Sequence, residues 1–272
     1  MKKKTSAGLA LVVILGAGAA YYYWQEERPA PVAPPVPVVA PQPPAPVMAP
    51  AAAAPTIRHP IQAAPASTAA AAPPLPTLAK SDAAMLGELA AWFGERPLAT
   101  LFYSDRIITR IVATIDNLPR PMAPVGMMPV KPAPGAFITA AGSDGPVISP
   151  DNWARYAPYV ALAQAVDAKK LVDFYVRFYP LFQQAYEELG YPKGYFNDRL
   201  IETIDDLLAA PEISDPIKLV QPKVLYQFAD PKLEALSAGQ KIMIRMGAAN
   251  AAKVKAKLAE IRALVVARTG RR

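Results

Sequence analysis

Cysteine is absent from the 272 residues and histidine occurs once. The chain therefore has no disulfide, no thiolate nucleophile, no Cys-ligated zinc and no cysteine to carry a lipoprotein anchor. His59 stands between Arg58 and Pro60 without a second imidazole nearby, so neither a catalytic base nor a metal site is expected there. A phosphate-binding Gly loop, a dinucleotide fingerprint, Gly-x-Ser-x-Gly and His-Glu-x-x-His are also missing. These absences leave no residue to assign as catalytic, cofactor-binding or metal-ligating. No cofactor is expected.

Charge is present but unevenly placed. The net +7 divides into five Lys/Arg against two acids over residues 1–79, 17 against 19 over 80–250, and seven against one over the last 22. Both ends are basic and the body is slightly acidic. A nucleic-acid footprint would be a basic face on the fold itself, so no nucleic-acid partner is expected.

The N-terminus is the most directive stretch. Lys2, Lys3 and Lys4 precede an apolar run, and Tyr21, Tyr22, Tyr23 and Trp24 close it. Residues 5–24 would make a helix about 30 Å long, the thickness of a bilayer's hydrocarbon core. Lysines before the run favour retention of residues 1–4 in the cytoplasm, and the aromatics suit the opposite headgroup layer. This predicts a single-pass anchor in a bacterial inner membrane, with the lipid bilayer as the partner of residues 5–24 and the C-terminal body in the periplasm. Ala17-Gly18-Ala19 also has the form of a signal-peptidase site. The length of the run and its aromatic belt favour a retained anchor.

Half of the 32 prolines lie between Pro29 and Pro76, among Ala and Val. Proline removes a backbone donor and fixes φ, so residues 25–79 are expected to be a disordered Pro/Ala-rich linker rather than helix or sheet. In polyproline II geometry it would reach about 170 Å.

Residues 80–272 read as one helical domain. Ser81 or Asp82 can cap a first helix in which Met85, Leu86, Leu89 and Trp92 share a face. A stripe from Leu98 through Ile115 ends at Pro119, with Ser104 and Asp105 expected to break it and cap a second helix. Gly142-Ser143-Asp144-Gly145 between short β-prone runs predicts the one credible hairpin. Further helices are expected from Asp151, bent or restarted at Pro158; over 169–189, kinked at Pro180; and over 195–208, 237–246 and 250–267. Residues 219–228 are ambiguous between strand and helix. The fold class is thus mainly α, with at most one short β-hairpin.

Three features could carry function. Asp198, Glu202 and Asp205 share one side of a helix, as a metal or acid–base site would require, although the wet face of an amphipathic helix has the same spacing. Tyr186, Tyr191, Tyr195 and Phe196 surround the turn at 190–194; with Asn197, Asp198 and Arg199 they could bind a sugar or peptide, or simply close the core at a helical corner. The basic C-terminal helix could meet anionic lipid or solvate its own outer face. The candidate binding surface is Tyr191, Tyr195, Asn197, Asp198, Arg199 and Glu202.

Several blocks carry a resemblance: Asp116-Asn117-Leu118-Pro119-Arg120, Tyr179-Pro180-Leu181-Phe182-Gln183-Gln184-Ala185-Tyr186, Gly194-Tyr195-Phe196-Asn197-Asp198-Arg199-Leu200-Ile201 and Leu236-Ser237-Ala238-Gly239-Gln240-Lys241. Over most of residues 80–265 the chain resembles DUF3014, a family of unknown function among bacterial proteins. The resemblance implies an N-terminal membrane segment and a variable Pro/Ala-rich stretch, and no activity. The expectation is a non-enzymatic envelope protein whose periplasmic domain binds a protein or cell-wall partner. The alternatives are an envelope hydrolase using Asp198, Glu202 and Asp205, and a lipid-binding protein using the basic C-terminal helix.

Overall fold

A computed structural model describes residues 56–61, 74–165, 167–213 and 216–269. The anchor expected at 5–24 and most of the linker expected at 25–79 lie outside them. Among the described residues no helix is long and apolar enough to cross a membrane.

The domain is mainly helical. Helix α1 (Asp82–Phe93) buries Met85, Leu89 and Trp92 along one stripe and stops at Gly94, whose φ of 82° suits glycine. In α2 (Glu95–Leu101), Pro97 sits in the first turn, where its missing N–H breaks no helical bond. Then comes α3 (Ile107–Asn117), buried on nearly every side from Ile107 to Asp116. Its start differs from expectation. The residue before it is Arg106, left-handed at φ 50°, and no side chain at the cap position bonds the helix. Asp82, from the first turn of α1, reaches across instead: its two oxygens accept the N–H groups of Arg106 (2.7 Å) and Ile107 (2.9 Å). Asp105 is exposed and pairs with Arg106 and Arg110. The nearest acid in sequence does not cap α3; the fold supplies one from 24 residues away.

The expected hairpin is present as β1 (Thr139–Gly142) and β2 (Gly145–Ile148), joined by Ser143 and Asp144. A second two-residue ladder, β3 (Leu219–Val220) with β4 (Gln227–Phe228), goes beyond the single hairpin expected. Val147 of β2 pairs with Lys218, joining the two ladders. Ile148, Ile217, Leu219, Phe228 and Ile244 form a small separate core beneath them. Of the ambiguous 219–228 segment, only the two ends are strand, residues 219–220 and 227–228, and the residues between them form the connecting bend.

Helix α4 (Asp151–Ala165) runs unbroken through Pro158, and α5 (Ala168–Glu188) contains Pro180. Both prolines lie on exposed positions, so neither ring displaces core packing. Asp167 caps α5 by accepting the Lys170 N–H at 3.0 Å. Helix α6 spans Phe196–Leu208, the short α7 Pro231–Glu234, α8 Ala238–Arg245 and α9 Ala248–Ala267. Gly247 between the last two has φ 84°, and a Cβ there would fall 2.6 Å from the Trp153 ring. The main core lies where α3, α5, α6 and α9 meet, with α4 against α9 and α1 against α3. Ile61, Leu75 and Leu78, all within the stretch expected to be linker, pack on this core.

Candidate functional site

The corner between α5 and α6 begins as an aromatic knot. Phe196 is fully buried and stacks on Phe182 at 5.8 Å, with Tyr175 and Tyr186 tilted against it. Burying such a ring contributes about 2–3 kcal/mol, so the first turn of α6 cannot rotate freely. Gln183 completes the corner. Its side-chain amide donates to the Gly194 carbonyl at 2.8 Å, while its oxygen accepts the Phe196 N–H at 2.9 Å, one of the donors that a helix start leaves unpaired. Tyr195, at the cap position, does not bond the helix through its side chain; its hydroxyl is hydrogen-bonded with that of Tyr179.

With Phe196 held inward, the neighbouring positions meet residues 56–61. The Asp198 carboxylate accepts two consecutive backbone N–H groups, Arg58 at 2.9 Å and His59 at 2.7 Å. Neighbouring N–H groups of an extended chain point to opposite sides; a bend at Arg58–His59 turns both toward one carboxylate, as in a backbone nest. Asn197 is fully buried: its amide donates to the His59 carbonyl at 2.9 Å, and its oxygen accepts from the Tyr175 hydroxyl at 3.0 Å. The Tyr195 hydroxyl accepts the Ile61 N–H at 2.6 Å. Ile61 also bridges to Thr269. Burial, then the neighbouring Tyr179 and Tyr195, holds the Tyr175 hydroxyl well above its ordinary range, so it stays a donor to Asn197 at any physiological pH.

An open pocket of about 370 Å3 lies beside this clasp, bounded by Thr56 and Arg58 on one side and the domain on the other. Its floor is an ion cluster. Asp116, from the last turn of α3, is buried and accepts from Arg120 (2.7 Å), Arg199 (3.1 Å) and the Tyr191 hydroxyl (3.2 Å). Arg199 also donates to the Asp116 carbonyl and pairs with Glu202 at 2.9 Å. Tyr186 stacks on Tyr191 at 4.6 Å, and burial followed by the Asp116 charge pushes its hydroxyl up to about 12.

The structure therefore brings Tyr191, Tyr195, Asn197, Asp198, Arg199 and Glu202 to one site, with Asn197 beneath the others. Asp205 is not part of it. Its carboxylate pairs with Arg262 of α9, so the three acids spaced along α6 are engaged by three different sets of partners. Among the described residues no group of three or more His, Cys, Asp or Glu could hold a metal ion. On α9, Lys257 pairs with Glu260 and Lys255 with the Ala210 carbonyl, and Arg268 at its C-terminal cap pairs with Asp173, so much of the basic helix is engaged within the fold.

Reading the sequence missed three contributors: Asp116 with Arg120, Gln183, and residues 56–61. Asp116 and Gln183 lie on other helices and Arg120 in the bend after α3; they stand in blocks that carry the family resemblance, but nothing local marks them as part of this site. The third had a signal. Arg58 and His59 are the only ionisable residues between Pro29 and Ala79, and they interrupt an otherwise Pro/Ala/Val-rich run. His59 was expected to be incidental as an imidazole; its backbone takes part through both N–H and carbonyl.

The family model described as protein of unknown function, DUF3014, matches residues 107–262, a span that includes the ion cluster and the α5–α6 corner. No curated protein and no solved structure matches the chain.

Proposed function

This chain belongs to the DUF3014 family, and from that premise we propose that it is a non-enzymatic binding protein of the bacterial envelope, anchored by residues 5–24, whose helical domain takes a bent peptide segment of a partner protein at the α5–α6 corner. One observation carries the reading: Tyr195, Asn197 and Asp198 engage four backbone groups of a non-helical segment and none of its side-chain polar atoms. Recognition through main-chain groups is how peptide-binding modules obtain affinity, with adjoining pockets adding selectivity. The pocket bounded by Arg58, Glu202 and the Tyr186–Tyr191 pair supplies the second element. A peptide accounts for this geometry better than a sugar does, because consecutive N–H donors facing one carboxylate are a feature of backbone.

The site can be tested in the full-length chain in cells, with a photoreactive residue in place of the exposed Glu202. Irradiation should link the protein to one defined envelope protein, and Asp198→Ala should abolish that product. Crosslinks confined to the chain itself, or unchanged by Asp198→Ala, would overturn the proposal. Location has its own test: a periplasm-dependent reporter fused after Arg272 should be active, and activity restricted to a cytosolic reporter would reject the anchored orientation.

A further inference from the structure

Resting on that reading, we infer that residues 56–61 are a built-in, displaceable ligand, and that the partner segment shares their chemistry: a basic residue, any residue, proline, then an aliphatic. The clasp specifies the backbone groups of this order position by position, and the charge of the pocket specifies the basic residue. At Arg58 and His59 it requires an N–H donor, supplied to Asp198. At His59 it also requires a carbonyl, supplied to Asn197. At Pro60 it uses no donor, so proline fits without leaving a group unpaired and restricts the bend beforehand. At Ile61 an N–H meets Tyr195 and the side chain packs on the main core. The basic preference follows from charge. Without residues 56–61, the pocket holds Arg120 and Arg199 against Asp116, Asp198 and Glu202, an excess of one negative charge that Arg58 balances.

Connectivity sets how strong a competitor must be to displace the segment. Twelve residues separate Ile61 from Pro74, where the described chain resumes, and short linkers hold a tethered ligand at roughly millimolar effective concentration. If the free segment binds with a Kd of about 100 μM, the tether lowers a competitor's apparent affinity about tenfold. A partner carrying the same pattern must outcompete residues 56–61, so the domain answers only to a partner held at high local concentration or making further contacts in the pocket.

The test uses the full-length chain in nanodiscs and a fluorescent peptide of residues 54–63, read by polarisation. Two variants disable the tethered segment without touching the clasp: Ile61→Asp removes its apolar contact, and His59→Pro removes one of the two N–H groups facing Asp198. Both should bind the free peptide about tenfold or more tightly than the unaltered chain, with the melting temperature lowered by no more than the few degrees that losing a tenfold-occupied ligand costs. Adding Asp198→Asn to either should abolish binding, and a peptide with alanine in place of Arg58 should bind several-fold more weakly. Equal affinity in the unaltered chain and both variants would overturn the self-ligand inference while leaving a peptide site in place. No binding by either variant would overturn the stated ligand chemistry, and the photocrosslink at position 202 would still decide the proposed function separately.

Discussion

Two carboxylates in this protein perform the same local act in different settings. Asp82 accepts the consecutive N–H groups of Arg106 and Ile107; Asp198 accepts those of Arg58 and His59. In both cases a bend in the chain turns neighbouring donors toward one charge. The surroundings separate them. The Asp82 fork joins two packed helices and satisfies the start of α3, a helix with buried residues all round, so releasing it would expose core. The Asp198 fork holds a six-residue piece whose backbone is joined to the fold chiefly by Asp198, Asn197, Tyr195 and the bridge to Thr269. Carboxylate chemistry alone therefore does not distinguish a structural cap from a binding site. What distinguishes them is whether the donors belong to an element the core cannot lose.

The strongest challenge to this contrast lies beneath the second fork. Asp116→Ala leaves Arg120 and Arg199 facing each other without their shared buried partner, and should cost about 3 kcal/mol in urea unfolding. A loss below 1 kcal/mol would mean that the floor of the pocket is not a structural unit. Next in size, Asp82→Ala should cost about 2 kcal/mol of global stability, the upper range for a lost helix cap with charge-assisted bonds. In the unaltered chain, amide exchange at Arg106 and Ile107 should proceed only through global unfolding.

Alkaline titration separates the two regions by composition. The buried tyrosines cluster in α4 and α5, where burial raises Tyr156, Tyr175 and Tyr179 and pushes Tyr159 and Tyr186 up to about 12. Free tyrosine ionises near 10. With the folded values raised, the unfolded chain releases its protons first, so stability is full below about pH 10 and declines as pH rises toward 12. Tyrosine absorbance at 295 nm should show a delayed fraction that appears together with unfolding; simple titration of all tyrosines near pH 10 would contradict the burial described.

The smallest global effects belong to the clasp. Asp198→Asn should lower unfolding stability by about 1.4 kcal/mol or less, the most that losing a tenfold-occupied tethered segment can cost, while removing hydrogen-exchange protection at Arg58 and His59. If it costs as much as Asp82→Ala, the two forks are equivalent and the binding reading loses its footing. Tyr195→Phe should be smaller still, freeing the Ile61 amide and leaving the Asp198 pair protected.

Much of the fold was legible because its cause is local. The stripe Leu171, Phe174, Phe178, Leu181, Phe182 and Ala185 announces α5, and Gly247 marks the α8–α9 junction, since helical period and φ preference act within a few residues. Non-local causes were not legible. Nothing near Ile107 reveals that its cap is Asp82, and nothing in Leu219–Phe228 reveals that Lys218 meets Val147. The site follows the same rule. Its half on the turn and first helical turns of α6 was identified from residue types. Asp116 and residues 56–61 were not, because a backbone N–H looks the same at every position in a sequence.

From its sequence alone, the chain is committed to a helical body behind a proline-rich stretch, with its polar aromatic corner at residues 186–202. Periodicity, proline and side-chain polarity decide those features over distances of one or two helical turns. Tertiary structure alone decided which acid caps α3, which acid instead meets residues 58 and 59, and which arginines gather on Asp116. Those pairings join positions up to 140 residues apart, and only packing of the intervening core brings such groups within hydrogen-bonding reach.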